Sequence, residues 1–148
     1  MAPHAPQRSS VRGKAAAGLD HASQMTRADR RSRIRARRVY DPPASGEGHR
    51  ILIMRLWPRA ISKAKVDRWL RELGPVLPLM HGFRSGRIPW REYRRRYLAG
   101  LARPEAQLQI AEALALARTH PITLLCGCAD ERRCHRSLLR AYLARRVL

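Results

Sequence analysis

Three cysteines and a histidine crowd one stretch near the end of the chain, TLLCGCADERRCHRSLLRAYL, residues 123–143. Cys126, Cys128 and Cys134 are all the cysteines there are, and His135 follows the last of them. Arg132, Arg133 and Arg136 share the segment. A thiol beside arginines and a helix N-terminus ionises readily and becomes a nucleophile. Cys126, five residues and then Arg132 is the spacing of a phosphate loop with a catalytic thiol. Asp130 and Glu131, however, put two carboxylates where a dianion would sit. Three cysteines and one histidine also match a zinc set by count. Against that, two short-spaced ligand pairs are lacking, and on a continuous helix Cys134 and His135 would point about 100° apart. In a third reading Cys126 ends a core strand and Cys134 packs beneath the following helix, as free cysteines commonly do. No metal ligand is assigned on these grounds. An imidazole in the first turn of that helix titrates near neutrality, which makes His135 the candidate proton-transfer group, with Cys126 as the candidate nucleophile of the first reading.

A second group of candidates leaves an earlier strand. Arg50–Met54 is a short apolar run, and Arg55, Leu56, Trp57, Pro58 and Arg59 follow it. In open α/β sheets ligands sit beyond the carboxyl ends of strands. If this strand and Ile122–Cys126 are neighbours, Arg55, Arg59, Arg132 and Arg136 converge as an anion site. The free amides at the start of the last helix add to it.

The elements that must hold these groups are legible in outline. Arg35–Tyr40 alternates as a strand, and DPPASGEGH has the composition of a turn. Ser62 is expected to cap a helix burying Val66, Trp69, Leu70 and Leu73, ended by Gly74-Pro75. Val76–Phe83 is ambiguous. Pro89 opens a helix with the stripe Trp90, Tyr93, Tyr97, Leu98 and Leu101. Pro104 opens another, with Leu108, Ala111, Leu114 and Ala115 inward. Pro121 precedes the buried strand ITLLC, and a last helix runs from Asp130 or Glu131 to about Arg146, burying Leu138, Leu139, Tyr142 and Leu143. This order predicts an α/β domain with a small, mostly parallel sheet flanked by helices.

The chain has 148 residues, enough for one domain with a real core. Residues 1–33 lack large apolar residues at any regular spacing and read as a disordered basic tail, with a helical turn conceivable over Ala22–Arg33. The tail carries seven basic and two acidic residues of a total formal charge of +20, which leaves +15 for residues 34–148. Arg91, Arg94, Arg95 and Arg96 on one helix and Arg140, Arg145 and Arg146 on another make nucleic acid a plausible non-specific partner, though no nucleic-acid motif is present. An odd, clustered cysteine set is not a secreted disulfide framework, and no apolar run reaches membrane-span length. A cytoplasmic location is expected. No cofactor is indicated, and the expected ligand is a small anion.

Taken together, RVYDPPASGEGHRILIMRLWPRAISK, WREYRRRYLAGL and ITLLCGCADERRCHRSLL resemble the YeaO-like branch of domain-of-unknown-function family 488, in order, from about Ile34 to Leu148. The resemblance implies a small bacterial cytosolic α/β domain and no particular reaction. It points to Arg55, Trp57, Pro58 and Arg59 in the first loop, and to Cys134, His135 and Arg136 in the last. Three positions depart from the family pattern. Met54 replaces an aspartate before Arg55, Ala60 replaces a glycine after Arg59, and Cys128 replaces a frequent acid. Loss of the aspartate removes a partner of Arg55 or an acid–base group, and Ala60 disfavours a positive φ.

Overall fold

Every residue of Ile122–Cys126 is buried, and this strand is the centre of the molecule. The structure, a computed structural model, describes Thr26 and residues 33–147. The expected tail over residues 1–33, with its conceivable helical turn, lies outside the described residues apart from Thr26 and Arg33. Four strands form: β1 (Ile34–Arg38), β2 (His49–Leu52), β3 (Arg68–Trp69) and β4 (Ile122–Cys126). The helices are α1 (Leu77–Arg84), α2 (Trp90–Gly100), α3 (Pro104–Thr119) and α4 (His135–Ala144). The sheet order is β1-β4-β2-β3, with all three pairings parallel. The expected α/β class with a parallel sheet flanked by helices is what the chain adopts.

Strand residues alternate between faces. Ile34, Ile51, Ile53, Ile122 and Leu124 share one face and form the larger core with residues of all four helices. Val39, Leu52, Ile61 and Leu125 form a smaller core on the other face, packed by Met54, Trp57 and Val66. Each large apolar side chain so buried contributes on the order of 1.5–3 kcal/mol. The chain between β1 and β2 returns across β4 without a helix. Thr123 donates through Oγ1 to the Glu47 carbonyl at 2.8 Å, and His49 N–H to Pro121 O at 2.9 Å. Gly48 permits this approach, with φ +68° and a position where a Cβ would lie 1.9 Å from Pro121 O. The Glu47 carboxylate, buried here, accepts from Arg37 at 2.8 Å, from Arg50 and from Ala44 N–H at 3.0 Å.

The segment after Ser62 corrects the sequence reading. It is not a helix but a 3-10 turn (Lys63–Lys65), then β3, then a second 3-10 turn (Arg71–Leu73), and Ser62 makes no side-chain cap. The helical spacing of Val66, Trp69, Leu70 and Leu73 lost to pairing along the open edge of β2. Asp67 N–H donates to Arg50 O at 2.8 Å, Leu70 N–H to Leu52 O at 2.9 Å, and Trp69 Nε1–H to Met54 O at 2.7 Å.

Two helices differ in detail. α3 buries Ala106, Ile110, Ala113 and Ala117, and leaves Leu108 75% exposed, so its inward face is rotated from the expected one. α2 buries Tyr93 and Tyr97 as expected, with Tyr97 Oη donating to Leu73 O at 2.7 Å. No helix among the described residues is long and apolar enough to cross a membrane.

Candidate functional site

Because the strands are parallel, the carboxyl ends of β1, β2 and β4 lie at one edge of the sheet. Three loops meet there: Val39–Tyr40 after β1, Ile53–Arg59 after β2, and Gly127–Arg133 after β4. They enclose a cavity of about 470 Å³, whose floor is Cys126, Cys128 and His135. Its walls include Tyr40, Trp57, Phe83 and Tyr93, and Arg55, Arg59, Arg84 and Arg133 also line it. No aspartate or glutamate lines it.

The loop after β2 is fixed by its own contacts. Arg55 donates to Glu72 at 2.8 Å, to Gly74 O at 3.0 Å and to Pro75 O at 3.3 Å. Glu72 thus partners Arg55, the role that the family resemblance gives to an aspartate where this chain has Met54. Arg103 joins the same carboxylate at 3.1 Å. Gly74 lets the two segments meet, since a Cβ there would lie 2.4 Å from Arg55 N. Pro58 is buried, and Trp57 is held by Nε1–H to Ile61 O at 2.8 Å and by an edge contact with Trp69 at 5.4 Å. Ala60 does adopt a positive φ, 61°, so the backbone conformation that suits glycine is kept and the alanine bears the strain. Met54 stays half-buried and lines the cavity.

The loop after β4 differs from the phosphate-loop expectation. Asp130 accepts from Arg132 N–H at 2.9 Å, occupying an amide that such a loop would offer a phosphate. Arg132 is exposed and, like Arg136, is absent from the cavity lining. Arg136 is only 3% exposed, and its Nη1 donates to Cys128 O at 2.6 Å and faces Cys134 Sγ at 3.6 Å. It therefore braces the loop from behind. The arginine that sequence reasoning missed is Arg84, at the end of α1; Arg133 belongs to the arginine group of the last loop but not to the expected anion set. Arg84 carries no local signal, and nothing local separates Arg133 from Arg132, because only the fold brings Arg133 and not Arg132 to the cavity.

The cysteines and the histidine do converge. A 3-10 turn (Glu131–Arg133) precedes Cys134, which is extended (φ −137°, ψ 142°) and caps α4. The helix therefore begins at His135, later than expected, and the 100° divergence between Cys134 and His135 does not arise. Cys126 Sγ lies 3.5 Å from Cys128 Sγ and 3.8 Å from His135 Nδ1, and Cys134 Sγ lies 3.9 Å from the same nitrogen. All four donor atoms fall within 4.8 Å of one another. His135 Nε2 is 2.6 Å from Ile53 O. A carbonyl only accepts, so Nε2 carries the proton and Nδ1 turns its lone pair to the sulfurs. Burial pushes the imidazole below its ordinary pKa and keeps it neutral. Hydrogen bonds from Cys128 and Cys134, with the charge of Arg136, push Cys126 down despite its burial, while Cys128 and Cys134 are pushed up by donating to it.

The basic surface is partly spent on the fold. Glu92 pairs with Arg95 and Arg96, Arg140 donates to Ile34 O at 2.8 Å, and Arg146 lies 3.5 Å over the Tyr142 ring. Arg91 and Arg94 remain exposed.

Residues 34–147 match the family model DUF488-N3a, described as the active DUF488-N3 subclade. Over 113 residues the chain is 36% identical to the Uncharacterized protein YeaO of Escherichia coli strain K12, spanning 74% of this chain and 96% of that protein. Over 96 residues it is 26% identical to uncharacterized proteins of Mycobacterium bovis and Mycobacterium tuberculosis, spanning 64% of this chain and 81% of each. No solved structure matches. A family model spanning nearly all of the described residues, and a relative matched along almost its whole length, place the chain in the DUF488 family, among its YeaO-like members.

Proposed function

We propose that the chain binds a small organic anion in the cavity at the strand ends: a phosphate or carboxylate carried on a flat or apolar group. One observation carries the reading. Four arginines line the cavity with no carboxylate among them, and Arg59, Arg84 and Arg133 form no ion pair among the described residues. A partly enclosed site with unpaired guanidinium groups favours a negatively charged ligand. The aromatic walls favour a flat group beside that charge. In this reading Arg59, Arg84 and Arg133 meet the ligand, Arg55 and Arg136 hold the two loops, and Arg132 stands outside. The description of the matching subclade as active supports a reaction in the cavity. Tyr93 Oη, which has no hydrogen-bond partner among the described residues, is a free hydrogen-bond donor on its wall, and burial pushes its pKa up and keeps it protonated. Three reduced thiols so close together fit a cytoplasmic location.

The test is a thermal-shift and calorimetric titration of the full chain with phenyl phosphate, a nucleoside monophosphate, inorganic phosphate and a short single-stranded RNA, at low and moderate salt. Stabilisation by one of the small anions that survives moderate salt, and is weakened about tenfold or more in Arg84→Ala, is expected. Stabilisation by the RNA alone, vanishing with salt, would replace this reading with that of a non-specific nucleic-acid-binding surface.

A further inference from the structure

We propose that Cys126, Cys128, Cys134 and His135 form a four-ligand zinc centre that builds the floor of the cavity. A tetrahedral site with Zn–S near 2.3 Å and Zn–N near 2.05 Å has ligand-to-ligand edges of about 3.5–3.8 Å. The separations that link Cys126 to Cys128, and His135 Nδ1 to Cys126 and Cys134, are 3.5, 3.8 and 3.9 Å. They come from three different pieces of backbone: the end of β4, the loop beyond it and the start of α4. Packing alone gives two thiols no reason to meet on one nitrogen lone pair with a third against them, because S–H is a weak donor and a poor use of a buried imidazole.

The surroundings fit a metal as well. A ligating histidine usually gives its other N–H to a carbonyl or carboxylate, which fixes the ring and its tautomer. His135 does this through Nε2 to Ile53 O, at 2.6 Å. Cys134 Sγ lies 3.5 Å from Arg136 N–H at the N-terminus of α4 and 3.6 Å from Arg136 Nη1, a setting that favours a thiolate. Three thiolates, one neutral imidazole and Zn²⁺ sum to a single negative charge, which the buried Arg136 guanidinium balances. Arg136 Nε is itself buried without a hydrogen-bond partner, and no carboxylate reaches this arginine among the described residues. With four protein ligands the centre is closed and structural, tying β4 to α4 beneath the cavity.

The full chain, produced in zinc-replete medium, is assayed for metal content by mass spectrometry and for thiols reactive without denaturant. Its cobalt-substituted form is examined by absorption. About one zinc per chain is expected, with three thiols that react only after chelation and cobalt bands typical of a tetrahedral thiolate site. Cys128→Ser, at the half-buried position, should retain the fold by circular dichroism and lose most of the metal affinity. Zinc-free protein whose thiols react freely would overturn the proposal. So would zinc held equally well by the wild type and Cys128→Ser. If Cys128→Ser proves insoluble, the wild-type cobalt spectrum decides. Metal content is read without any anion and with every arginine intact, so the result is independent of the anion titration.

Discussion

The imidazole of His135 reaches across from α4 to the backbone of Ile53, 82 residues earlier, and donates to its carbonyl at 2.6 Å. One hydrogen bond thereby joins the start of the last helix to the end of β2 and fixes which nitrogen faces the cysteines. The ring also packs against Tyr97 at 5.4 Å. His135 is thus a buried organising residue rather than an exposed acid or base waiting at the mouth of the cavity.

Replacing it should be costly. His135→Ala leaves the carbonyl of fully buried Ile53 without its partner, a loss of about 1–3 kcal/mol before any packing defect is added. Urea denaturation followed by circular dichroism should show a lower midpoint.

Ala60 offers the opposite effect. Its φ of 61° costs an alanine roughly 1–2 kcal/mol, and glycine escapes most of that while losing more chain entropy on folding. Ala60→Gly should raise stability by about 0.5–1 kcal/mol and increase the melting temperature. A decrease would mean that the alanine methyl makes a contact worth more than the strain.

Glu47 sits 3% exposed between Arg37 and Arg50. Truncating one partner of a buried ion pair strands the other, so Glu47→Ala should destabilise by about 3–5 kcal/mol in chemical denaturation. The loop that crosses β4 should loosen with it, visible as faster amide exchange at Ala44 and Thr123.

Acid should find the same residue. Burial raises the Glu47 pKa, but the hydrogen bonds from Arg50 and Ala44 N–H and the charges of Arg50 and Arg37 outweigh it and leave it below the ordinary 4.5. Glu72 is lowered chiefly by Arg55, with Arg103 adding to it. A depressed carboxylate contributes its stability above the unfolded value and loses it as pH falls through the folded one. Stability should therefore hold above pH 4.5 and drop below it. The gap between the wild type and Glu47→Gln should narrow over that range in a pH series of denaturation curves.

Several parts of this design are legible in the amino-acid sequence alone. ITLLC reads as a buried strand because nothing polar but Thr123 interrupts it, and the tyrosine stripe of α2 because its period is unmistakable. The two strand ends that line the cavity follow from the rule for α/β sheets. What fails is whatever depends on distant partners. The residues of β3 have helical spacing and become a strand only because the edge of β2 is open to them. The divergence of Cys134 and His135 assumes a helix that starts before both, whereas the 3-10 turn and the extended Cys134 delay it by a few residues. Arg84 looks like any other surface arginine in a chain with 31 basic residues, and only tertiary structure separates Arg133, at the cavity, from Arg132, outside it.

Of the four described strands, the one that fills the middle of the sheet is the last in chain order. β1 and β2 each pair with β4 and not with each other, so the two early strands lack their common neighbour until Cys126 has left the ribosome. A nascent chain stopped before Ile122 exposes the apolar edges of both, a state open to chaperones and to aggregation. The cavity, which takes a wall from each of these strands and its floor from the last, is therefore completed in a single late event, when the segment from β4 to α4 docks between parts of the protein made long before.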